Sequence, residues 1–160
     1  MSGIIGGAGS KSRVIGLPDI DPNRPAFCAR GYPSGAEAIY LLYGHNLSGS
    51  TNSVDYNAGN HYTASTGSFI APVTGLYSFS ISDLTNSTND VYRFDFYVNN
   101  SYINRQMRID TNDSGSGYGF GEQTIQWQLE VGEYMKIYHR EGVTPANEPS
   151  YDSFSGYLIG

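Results

Sequence analysis

The sequence predicts an all-β protein folded as a two-sheet sandwich. Bulky residues alternate with small ones at a period of two, as where Tyr77, Phe79 and Ile81 follow Leu76 and interleave with Ser78, Ser80 and Ser82. Turn residues interrupt such runs at regular intervals, leaving room for roughly eight to ten short strands. Glycine (20) and tyrosine (14) are abundant and charged residues make up only 15%. Strong helix formers are therefore scarce, and no window of about 11 residues carries helical periodicity. A chain of 160 residues is long enough for one domain with a buried core.

Residues 1–24 stand apart in composition. Ser2-Gly3-Ile4-Ile5-Gly6 and Ser12-Arg13-Val14-Ile15-Gly16 repeat one small pattern, a branched apolar pair ahead of a glycine. Such a segment buries little by itself, yet it is apolar for a solvated tail, and it suits an arm that orders against a partner. Short leaders of this kind resemble the N-termini of small phage structural proteins. Pro18, Pro22 and Pro25 then stiffen the approach to the domain.

The first strand is expected at 26–30, followed by a turn at 31–35 and an apolar strand at 39–43. A polar loop at 44–53 leads into residues 56–81, which read as strand, loop, strand, turn, strand. Asn and Gly bend the chain at 57–60, residues 69–73 are a short apolar piece, and Thr74-Gly75 turns into the alternating run. A turn rich in Asn, Ser and Thr is expected at 83–90. Tyr92, Phe94, Phe96 and Val98 then alternate with Arg93, Asp95 and Tyr97. Asn99-Asn100 makes a hairpin to a strand at 102–109. The longest loop spans 110–121, and a strand at 124–129 is built on Ile125, Trp127 and Leu129. Gly132-Glu133 turns into a strand at 134–139, a loop with Pro145 and Pro149 follows, and residues 151–159 close the sheet.

Asn57, Tyr62, Phe69, Gly75, Tyr77 and Phe79 have the spacing of the central signature of the C1q/TNF-like jelly-roll family, which this chain resembles. Thr51 and Ile81 depart from it, standing where the family has aromatics. Residues 25–29 and 154–159 resemble the family's first and last strands. The resemblance covers residues 25–160 and leaves 1–24 as an N-terminal arm. It implies a Greek-key jelly roll and a homotrimer whose inner sheets pack aromatic and aliphatic residues around an axis. Tyr40, Tyr138, Tyr151 and Tyr157 are the candidates for that contact. Placement in the core, scattered surface tyrosines and glycan stacking on exposed rings stay open as other readings.

Chemistry beyond assembly is thinly signalled. His45, His61 and His139 are far apart and form no metal-ligand spacing; His61 is expected to bond within its loop. Carboxylates fall mostly in turns or on polar strand faces, which disfavours a glycosidase pair. No nucleophile elbow or phosphate-cradling loop opens a helix, so a non-enzymatic role is expected. Cys28 cannot support an intrachain disulfide and is expected to be a small buried hydrophobe. The best metal candidate is Asp110, Asn112, Asp113, Ser114 and Gly115, which approach calcium-loop spacing. Gly121 stands where the closing Glu belongs, with Glu122 one residue late, so a plain exposed loop is the leading reading and no cofactor is expected. Some relatives of the fold bind calcium near the trimer apex.

The net charge of −6 argues against general binding of nucleic-acid phosphates. It is uneven: residues 1–30 sum to +2 and the remainder to −8. No apolar stretch approaches a membrane span, and the first residues lack the basic and apolar regions of a secretory leader. There is no Gly-X-Y tract. With one trimerising domain, an arm and no long shaft, the expectation is a phage capsid decoration or cement protein, located on the virion and made in the host cytoplasm. Its arm would bind the major capsid protein or another virion protein through Ile4, Ile5, Val14 and Ile15, with Lys11 and Arg13 supplying charge. The alternative is a receptor- or carbohydrate-binding domain of a tail fibre, spike or bacterial adhesin, contacting glycan through exposed tyrosines and the 110–121 loop. A cytokine-like ligand ranks third.

Overall fold

The computed structural model describes residues 24–31, 53–86, 91–111, 118–141 and 151–160. Ten strands are found among them: β1 (Ala26–Arg30), β2 (Ser53–Ala58), β3 (Tyr62–Thr63), β4 (Ser68–Ile70), β5 (Gly75–Asn86), β6 (Val91–Val98), β7 (Ser101–Asp110), β8 (Tyr118–Leu129), β9 (Tyr134–Glu141) and β10 (Ser153–Leu158). They form two antiparallel five-stranded sheets, ordered β2-β1-β10-β5-β8 and β3-β4-β9-β6-β7. The first and last strands of the chain lie side by side in the first sheet, with Phe27 opposite Gly156. This is the all-β jelly roll that the sequence implied. The expected strand at 39–43 lies outside the described residues.

The period-two alternation works as read for most strands. Tyr77, Phe79 and Ile81 of β5 face Tyr92, Phe94 and Phe96 of β6 across a core that also holds Phe27, Phe69, Ile137 and Phe154. The rings contact one another extensively: Phe27 stacks on Tyr62 at 4.4 Å between centroids, and Phe79 on Phe154 at 6.2 Å. Gly156 is required by this cluster, because a Cβ there would lie 2.5 Å from Phe79 and 2.8 Å from Phe27. The signature residue Asn57 ties the β2–β3 loop together: its amide nitrogen donates to the Tyr62 carbonyl (2.9 Å) and its oxygen accepts from the Tyr62 N–H (3.0 Å). Asn99 and Asn100 take φ of 50° and 63°, the left-handed pair of a tight hairpin between β6 and β7.

Five expectations need correction. Residues 83–86 are not a turn and 118–121 are not loop: they pair with each other as extensions of β5 and β8. Their turn-like residues have a packing reason. A Cβ at Gly119 or Gly121 would lie 2.7 or 2.5 Å from Ile109, so β7 closes over β8 only where β8 has no side chain. Opposite them Asp83 and Thr85 are fully buried. Leu76 points away from Tyr77, Phe79 and Ile81, on the outer face and half-buried. Asp95, expected on a polar strand face, is fully buried. Cys28 is half-buried and shares the outer face of β1 with its register partners Tyr56 and Ser155; burial, then the Asp55 charge, push its thiol pKa up. It faces outward because the core side of β1 is taken by Phe27 and Ala29.

Candidate functional site

Period-two geometry gives each sheet a second face pointing away from the core, and the two outer faces differ in chemistry. On the first sheet, cross-strand rows carry short polar side chains. Tyr157, Ser78 and Gln126 form one row, Ser155, Ser80 and Thr124 the next, and Ser153, Ser82 and Glu122 a third. Neighbouring hydroxyls bond to one another: Ser80 to Thr124 and Ser82 to Ser153, each at 2.8 Å. Large aromatic side chains stand around this hydroxyl-lined centre. Tyr56, Tyr118, Phe120 and Tyr157 are each half or more exposed, at 50–55%. Tyr151, 54% exposed, precedes β10, and its carbonyl accepts from Ser82 Oγ at 2.7 Å. Arg30 and Asp55 pair at the β1–β2 edge, which lowers the Asp55 pKa through the bond with Arg30 and then that with Ser53.

The outer face of the second sheet is built from tyrosine and cations. Tyr97 packs on Tyr102 at 5.8 Å and against Tyr138, edge-on, at 5.5 Å. The Arg140 guanidinium sits 5.7 Å above the Tyr102 ring, with Nη1 3.5 Å from Asp95 Oδ2. Burial pushes the Asp95 carboxyl pKa up, and Arg140 pulls it back in part. Lys136 lies over Tyr134 at 5.3 Å, and burial lowers its pKa.

Of the tyrosines assigned to a trimer contact, Tyr157 and Tyr151 are exposed at the first sheet and Tyr138 lies on the second. The structure thus brings together only part of that set; Tyr40 is outside the described residues. Sequence reading did not assign Tyr56, Tyr118 or Phe120 to this set; Tyr118 was expected only as an exposed ring that could contact glycan. The even-numbered parity that Phe120 shares with Thr124 and Gln126 was the available signal, hidden by the apparent loop. Asp110 ends β7 and pairs with Arg108 at 3.2 Å, while Asn112 and Asp113 are outside the described residues. The arm residues Ile4, Ile5, Lys11, Arg13, Val14 and Ile15 lie outside them too. The His61 carbonyl accepts from the N–H of Ile70 on β4 at 2.8 Å, a bond across strands and not within its own loop. His139 packs at 5.3 Å from the Phe94 ring. Among the described residues no three of His, Cys, Asp and Glu gather as a metal site would need. No helix there is long and apolar enough to cross a membrane.

A closed aromatic core between two antiparallel five-stranded sheets defines a jelly-roll module. The chain belongs to the C1q domain family, whose model matches residues 44–159. Its fold is similar to the globular domain of zebrafish complement 1qA, at 17% identity and a TM-score of 0.66, over 86% of this chain and 98% of that one. Murine APRIL at pH 5.0 is similar at 8% identity and a TM-score of 0.66, over 85% and 99%. The TNF Eiger of S. frugiperda is similar at 12% identity and 0.62, over 86% and 94%. Domains of this family are typically non-enzymatic and trimeric.

Proposed function

We propose that this chain is a non-enzymatic structural protein that assembles as a homotrimer through the outer face of the first sheet, and that the trimer decorates a phage capsid. The observation that carries the assembly is the exposure of four large aromatics, Tyr56, Tyr118, Phe120 and Tyr157, on one sheet face. Large exposed aromatics gathered on one face mark interaction surfaces, and burying one such side chain contributes about 1.5–3 kcal/mol before association costs. The short hydroxyl side chains between them let neighbouring backbones approach closely at an axis. A heterologous contact that closes after three copies fits the local three-fold positions of an icosahedral shell.

Attachment falls to residues 1–24. Ile4-Ile5 and Val14-Ile15 supply apolar pairs, and three arms per trimer make the attachment multivalent, so weak single-arm binding suffices. Light scattering on the full chain is expected to give the mass of three copies. A chain lacking residues 1–24 should keep that mass and lose co-sedimentation with undecorated capsids of the source virus. A monomer would refute the assembly, and capsid binding that survives the deletion would refute the anchoring role.

A further inference from the structure

Five of the nine lysines and arginines in this acidic chain are on three adjacent strands of the second sheet: Arg93 on β6, Arg105 and Arg108 on β7, Lys136 and Arg140 on β9. Their concentration there is not a by-product of composition, since the chain carries a net charge of −6. Arg93 and Arg108 are direct cross-strand partners, an arrangement that costs a sheet stability through like-charge repulsion. Among the described residues, Asp95 is buried beneath Arg140 and Asp110 is paired with Arg108.

Arg140 is held rather than loose. Tyr102 supports its guanidinium plane, Asp95 engages one nitrogen, and the side chain remains 51% exposed. A guanidinium fixed in this way presents its remaining N–H groups to solvent as a fork already oriented for a carboxylate. Toward the other edge of the same sheet lies a hollow of about 330 Å³, lined by Thr63, Thr66, Ser68, Ile70, Tyr134 and Lys136. It offers hydroxyl groups around one ammonium. Tyr97, the register partner of Lys136, connects the hollow to Tyr102 and Tyr138. From β4 to β7 the surface crosses three strand spacings, roughly 14 Å.

We infer that the outer face of the second sheet binds an acidic oligosaccharide, with Arg140 and Lys136 receiving carboxylates, the threonine and serine hydroxyls bonding sugar hydroxyls, and the tyrosine rings packing on sugar faces. Each component of the surface has a counterpart in such a ligand. A nucleic acid fits less well, because a long polyanion would extend past this short patch onto an acidic body. The site needs neither trimer formation nor capsid attachment, so its test stands apart from theirs.

Titration calorimetry of the full chain with tetragalacturonate at low salt tests it, with neutral maltotetraose and a short oligothymidylate as comparisons. Saturable binding of the uronate alone is expected, weakened at least about tenfold by Arg140→Gln, as loss of a charge-assisted fork implies. Should Arg140→Gln unfold because it leaves the buried Asp95 charge without its cation, Lys136→Gln, which leaves that pair intact, is expected to weaken binding as well. Val131→Ser, on the exposed turn between β8 and β9, should leave it unchanged. No uronate binding, equal binding of maltotetraose, binding unaffected by Lys136→Gln or tighter binding of the oligothymidylate would each overturn the assignment.

Discussion

The two outer faces of the sandwich share a core and almost nothing else. On the first sheet, outward positions are mostly Ser, Thr and Gln with exposed aromatics among them; on the second, Tyr, Arg and Lys prevail. A strand commits only alternate residues to the core, so the intervening ones are free to take whatever chemistry each face requires. Parity frees the outward residues of each sheet from the core, and membership in one sheet or the other keeps the two outward sets on opposite sides of the sandwich.

The largest perturbation removes both faces together. Phe79→Ala deletes a fully buried ring that contacts Phe27, Phe69, Tyr77 and Phe154. It is expected to lower the unfolding free energy by about 3–5 kcal/mol, read as a fall in the urea midpoint. Gly156→Val comes next, at about 1–3 kcal/mol, because the added Cβ enters the same ring cluster from the first sheet. A more local break is Gly121→Val, which forces β7 away from β8. Hydrogen exchange is expected to speed up along that edge first and to leave the β1–β10 pairing protected.

Separating the faces calls for surface changes. If the proposed trimer forms through this face, Tyr157→Glu, on a half-exposed side chain, should give folded monomer in sedimentation velocity while the circular dichroism spectrum is unchanged. A trimer that persists would move the assembly surface elsewhere. Smallest of all is a pair of opposite pH signatures. Asp95 has a raised folded-state pKa, chiefly from burial, so the native state binds its proton at higher pH than the unfolded chain. Its charged form therefore costs stability near neutrality, and stability is regained as pH falls through the folded-state value. Asp55 has a lowered pKa, chiefly from Arg30, so its contribution is present above the unfolded value and is lost as pH falls through the folded one. Urea midpoints of Asp95→Asn and Asp55→Asn are expected to lie respectively above and below wild type at pH 7, with both gaps closing in acid. Gaps of the same sign would contradict the two environments.

Much of the fold was legible in the residues. The alternation in 76–82 and 91–98, the Asn99-Asn100 hairpin and the signature from Asn57 to Phe79 each have a local cause, and local causes are visible in a chain read linearly. The stretches 83–86 and 118–121 were not legible as strand, because Gly, Asn, Asp and Thr mark turns unless a neighbouring strand needs the space they leave. The tyrosines were visible as an excess, but not as two separate populations on two faces.

By itself, then, the sequence determined strand content and the aromatic core, since period-two patterning is a property of consecutive residues, and the jelly roll only through the signature residues that resemble a known family. Only the tertiary structure decided that Arg93, Arg108, Lys136 and Arg140 share one face while Tyr56, Phe120 and Tyr157 share the other. Those groupings depend on which strands become neighbours and in which register, and register joins residues from distant parts of the chain through hydrogen bonds that no local pattern encodes.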